Sequence, residues 1–279
     1  MKKLKFIIAI SLLITSIIVI SCTKDSSNKT TKLNVNDFMK IGKIHNDFLT
    51  NVKDNFTIIN DIKTENDKIN AINQFNRDFV NSIELSFNEK MVLISELERT
   101  KELVKKSILI SKAFGNNHQK SSDDSDQNLF DMIESLYNNG TIGNESYQIL
   151  HSLANDLKDN YEGTLSDSQL KTNVISLINE FNDIGFSEGS EGEMVGTVLA
   201  ISISSIEWWE QNPDASGNNR IAPWLAADLV GGAISGVVAA SGQAVINGDV
   251  DWATVGWSAL GGAVSASTGA VGRILRWFN

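Results

Sequence analysis

Two uncharged runs near the carboxyl end, Leu229 to Gly248 and Ala253 to Gly272, constrain this chain more than any other feature. At roughly 1.5 Å per residue, each is long enough to cross a bilayer core as a helix. Asn247-Gly248-Asp249 marks a turn between them, so the pair predicts a helical hairpin over 223–279. In the first run Gly232, Gly236, Ala240 and Ala244 recur every four residues. In the second, Gly262, Ala266 and Ala270 form one row and Gly261, Ser265 and Gly269 its neighbour. Such rows leave a smooth groove on one helix face, where two backbones can approach and gain dispersion contact. A glycine inside a helix costs roughly 0.5–1 kcal/mol against alanine, so this many imply close packing that offsets the loss. Ala259 lies off both rows, and a leucine there should be mild if the position faces outward.

The ends of this hairpin admit two readings. Antiparallel helices bring Trp224 level with Trp277, beside Arg220, Arg273 and Arg276, and leave Asp249, Asp251 and Trp252 at the tip. Aromatics and cations at helix ends suit a membrane interface. They equally suit the capping of a water-soluble core. The segment resembles glycine-zipper sequences and the small membrane-active peptides of two-peptide bacteriocins. That resemblance covers 223–279 alone.

The other end of the chain carries a second signal. Lys2, Lys3 and Lys5 precede an apolar stretch, Phe6 to Ile20, which closes on Ser21 and the only cysteine, Cys22. Val19-Ile20-Ser21-Cys22 resembles the lipobox of bacterial lipoproteins. The resemblance implies removal of residues 1–21 as a signal peptide, diacylation of Cys22 (palmitate-type chains), and a membrane-anchored protein of the cell envelope. Thr23 follows rather than Asp, so it implies no retention at the inner membrane. An ordinary signal peptide or a single membrane helix are the other readings of the same stretch. Residues 22–32 then form the lipidated cysteine and a polar, flexible tether.

Between these ends lies an acidic body, 33–211, separated from the hairpin by a linker over 212–222. The formal charge is −10, and from Gly217 onward three arginines balance three aspartates, so the negative charge sits in this body. An acidic surface repels nucleic acid, which is not expected as a partner. Apolar residues recur at helical spacing throughout: Phe38, Ile41, His45, Phe48 and Val52; Ile69, Ile72, Phe75 and Phe79; Leu93, Leu97, Val104 and Ile108; Leu129, Ile133 and Leu136; Ile149, Leu153 and Leu157; Leu170, Val174, Leu177 and Phe181; and Met194, Val198, Ser202 and Ile206. Ser86 with Glu89, and Ser166 with Gln169, are capping boxes. Gly115, Gly140 and Gly185 mark helix ends. The expected class is all-α.

Residue chemistry points away from catalysis. His45 sits within the first apolar stripe beside Gly42 and Asn46. It reads as a packed core histidine, held by Asn46 or a backbone carbonyl, in preference to a binding element. His118 and His151 have no second histidine in ligand register. Glu188, Glu191 and Glu193 occupy a glycine-rich loop without the alternating ligand spacing of a calcium site. No P-loop or G-x-S-x-G sequence occurs. No catalytic residue, metal or cofactor is expected. The expectation is a lipid-anchored envelope protein with a binding or assembly role, its hairpin packing on itself, a partner or a membrane. The alternative is a membrane-active effector that inserts the hairpin to permeabilise a target. An enzyme would require a pocket around His45 with convergent carboxylates.

Overall fold

The computed structural model describes residues 31–60, 65–106, 129–213, 250–252 and 254–264. Of these, 82% are helical and none is in a strand, so the protein is all-α. An isolated antiparallel bridge joins Lys32 to Ser187. Among the described residues no helix is long and apolar enough to cross a membrane.

After a 3-10 turn, Val35–Phe38, capped by Asn34, the helices are α1 (Met39–Asn60), α2 (Glu65–Ser82), α3 (Phe87–Lys106), α4 (Leu129–Asn138), α5 (Asn144–Glu162), α6 (Asp167–Ile184) and α7 (Gly192–Gln211). In a further helix, α8, Trp252 and residues 254–264 are described. Local chemistry sets several boundaries. At α3, Ser86 N–H donates to Glu89 Oε2 (2.6 Å) while Ser86 Oγ accepts from Glu89 N–H (3.3 Å). Ser166 and Gln169 close the same reciprocal pair at α6. Gly163 and Gly185 end α5 and α6 at φ 81° and 67°, the left-handed region that glycine enters without a Cβ penalty.

The elements run alternately up and down. Phe48 of α1 meets Phe75 and Phe79 of α2. Arg77 of α2 bonds Glu98 of α3 through Nε at 2.8 Å, and Lys90 Nζ reaches Asn81 O at 2.9 Å. Through this alternation the turns at 83–86, 139–143 and 185–191 gather at one end of the bundle, where the chain also enters at Lys32. Leu33 N–H donates to Phe186 O there (2.7 Å), and Val35 N–H to Asn182 Oδ1 (3.0 Å).

At the centre stands α7. Every residue from Gly192 to Ile206 is buried, as are Trp208 and Trp209. Its circumference is made of apolar residues and small hydroxyl side chains, Thr197, Ser202, Ser204 and Ser205 among them, so no face is reserved for water. The core does not end with α7: Trp252, Val255, Leu260, Ala263 and Val264 belong to the same apolar cluster. Gly256 brings α8 against α7, and a Cβ there would lie 2.9 Å from Thr197 Oγ1. Ala259 does not face outward as the row pattern allowed; it is fully buried. The rows count spacing on one face, whereas α8 is enclosed on several.

Candidate functional site

The α1–α7 seam contains the polar group around the first apolar stripe: Gly42, His45 and Asn46. Gly42 exposes its backbone to α7, where a Cβ would lie 2.6 Å from Ala200 O and collide with Ser204. One turn on, Asn46 Nδ2 donates to Ser204 O (2.8 Å). Another turn on, Trp208 Nε1 donates to Thr50 Oγ1 (2.9 Å), and then Lys53 Nζ donates to Asn212 Oδ1 (2.7 Å). The two helices therefore run parallel, tied once per turn. His45 lies beside this ladder with 0% exposure. The Asn46 amide is committed to Ser204, so its NH2 group serves the seam. A fully enclosed imidazole packs the interior and is not presented to a ligand arriving from solvent. Gly42 and Asn46 stood out beside His45 in the sequence, but Thr50 did not, and the partner strip, Ala200, Ser204, Trp208, lies far along the chain.

The acidic loop before α7 is a set of internal ties. Glu191 Oε1 accepts from Gly143 N–H (3.1 Å), pinning the α4–α5 turn. Glu193 Oε1 accepts from Gly189 N–H (2.7 Å), closing its own loop. Glu188 is exposed. Burial pushes the Glu193 carboxyl above its usual range, and the charges of Glu188 and Asp251 push the same way against the Gly189 bond. Asp251 caps α8, accepting from Thr254 N–H (3.3 Å) and from its hydroxyl (2.7 Å). Among the described residues, no group of three or more His, Cys, Asp and Glu is placed to hold a metal ion.

A row of rings that sequence reasoning missed runs along α4 and α5. Tyr137 stacks on Tyr147 (4.6 Å between centroids), Tyr147 lies against His151 (5.3 Å), and His151 meets Phe130 edge-on (5.5 Å). Asn155 Nδ2 approaches His151 Nδ1 at 3.0 Å. The signal was the interval Tyr147, His151, Asn155, but the rings contributed by α4 could not be placed from it.

Of the proposed hairpin residues, Gly261 and Gly262 are buried on α8. Trp252 starts that helix and is also buried. Gly232, Gly236, Ala240, Ser265 and Gly269, together with Trp224, Trp277, Arg273 and Arg276, lie outside the described residues. So do Cys22, His118 and most of the linker. No protein-family model, curated protein or solved structure matches this chain.

Proposed function

We propose that this chain is a lipid-anchored protein of a bacterial cell envelope with a non-catalytic binding or assembly role. The observation that carries the reading is Val19-Ile20-Ser21-Cys22, set after a basic and apolar leader and before a polar stretch that ends where the fold begins at Lys32. Acyl chains on Cys22 bury methylenes at about 0.8 kcal/mol each, enough for two chains to hold a folded body at a surface. The glycine-rich carboxyl segment packs helices in this reading. Burial of Trp252, Gly261 and Gly262 within the body supports packing over insertion of the second run as an independent span.

The test is Cys22→Ala with radiolabelled palmitate and mass spectrometry of the membrane fraction. The variant should lose the label and either leave the membrane or keep its leader. An unmodified Cys22 in mature, membrane-extracted protein overturns the anchor. Dye leakage from liposomes exposed to the intact protein would replace the packing role with the effector role.

A further inference from the structure

Among the described residues, the large apolar side chains left open to solvent are Phe87 (77% exposed), Met91 (49%), Tyr137 (39%) and Ile175 (44%). Isolated cases of this kind are ordinary on a protein surface. Their placement is less ordinary. Phe87 and Met91 are one turn apart on α3, hence on one face, and Phe87 is the first residue of that helix. Tyr137 is in the last turn of α4. Both helix ends belong to the end of the bundle where the chain enters. Lys40, in the first turn of α1, lies close enough to Glu89 for its charge to act on that carboxylate. Gly143, just past α4, is tied to Glu191 beside the Lys32–Ser187 bridge.

We propose that this end of the bundle is a membrane-docking face, with Phe87 and Met91 seated in the interfacial layer of the bilayer that carries the Cys22 acyl chains and Tyr137 at its edge. The inference rests on the lipid-anchor reading above. Given that anchor, residues 23–31 span at most about 30 Å when extended, so the face around Lys32 is held near the lipid. Tethering turns docking into an intramolecular step at high effective concentration, and a weak apolar contact then suffices to be populated. Phenylalanine, methionine and tyrosine suit that layer, where an apolar body and a polar rim are both accommodated. Exposed Asp37, Glu84, Glu145, Asp183 and Glu188 outnumber exposed Lys32, Lys40 and Lys43 near this end. The face therefore suits zwitterionic lipid, and anionic lipid should weaken docking.

The test uses full-length acylated protein reconstituted into phosphatidylcholine vesicles. With Cys22 acylated, Met91→Cys supplies the one free thiol for an environment-sensitive dye. Thr164→Cys does the same in the α5–α6 turn, at the opposite end of the bundle. Nitroxide-bearing lipid should quench the dye at position 91 several-fold more than at 164. Phe87→Ser should reduce quenching at 91 towards the level at 164 with an unchanged helical spectrum, because an exposed side chain contributes little to the fold. Vesicles enriched in phosphatidylserine should reduce it also. Equal quenching at both positions in protein that floats with the vesicles overturns the docking face and leaves the anchor standing. A dye at 91 shielded from aqueous iodide but not quenched by lipid also overturns it, since a protein then covers the face. Failure to float, with Cys22 unmodified, overturns the anchor and the docking with it.

Discussion

At the scale of single residues, the strongest constraint lies at Gly42, where a methyl group has nowhere to go. Part of the obstruction is the Ala200 carbonyl, backbone that cannot rotate aside. Gly42→Ala should therefore destabilise by about 1–3 kcal/mol, although alanine is the better helix former. Urea unfolding followed by circular dichroism measures this, and wild-type stability would mean that α1 and α7 can separate without loss. Much of the surrounding stripe was legible beforehand. Phe38, Ile41, His45, Phe48 and Val52 are all buried, as their spacing required, because an amphipathic helix announces its inner face through period 3.6. What could not be read was the partner. Spacing along α1 says which side faces inward and nothing about which later segment meets it. The same blindness left open which way Ala259 faces, and it proves to be fully buried.

Helix boundaries were legible where a side chain bonds the backbone locally, as in the Ser86–Glu89 and Ser166–Gln169 pairs. The centrality of α7 was not, since apolar and small hydroxyl residues spread round its whole circumference and mark no preferred face; Met194, Val198, Ser202 and Ile206 suggested one stripe where every side is enclosed. Its first turn holds a charge that this enclosure penalises. Glu193 has its folded pKa raised, chiefly by burial and further by Glu188 and Asp251. A carboxyl raised in the folded state binds protons more tightly there than when unfolded. Its stabilisation is thus complete below the unfolded pKa and is lost as pH rises through the folded one. Glu193→Gln keeps an oxygen to accept from Gly189 and carries no charge. The variant should melt at higher temperature than wild type at pH 7, with the gain vanishing below about pH 4, near the unfolded carboxyl value. Calorimetry at both values decides it, and equal gains would place the effect elsewhere than in the charge.

For the molecule as a whole, the core extends beyond Pro213 to residues of the carboxyl segment. Removing everything after Pro213 deletes Trp252, Val255, Leu260 and Val264 from it. Full burial of such side chains stabilises by about 1.5–3 kcal/mol each, against a typical total of about 5–15 kcal/mol. The shortened chain should keep helical far-UV dichroism, lose its near-UV signal and bind a hydrophobic dye. A native near-UV spectrum would show the body complete without α8. The seam between α1 and α7 also has a bearing on time. Its ties join positions 158 and 159 residues apart, so an early helix waits for a late one. Contacts this remote close slowly, because a long loop must be ordered before they form. During synthesis α1 would spend that interval with its inner face uncovered and open to a chaperone. On the lipid-anchor proposal the chain is threaded across a membrane while still extended, and this delay then has a use: the fold cannot be completed until nearly all of the chain has passed through.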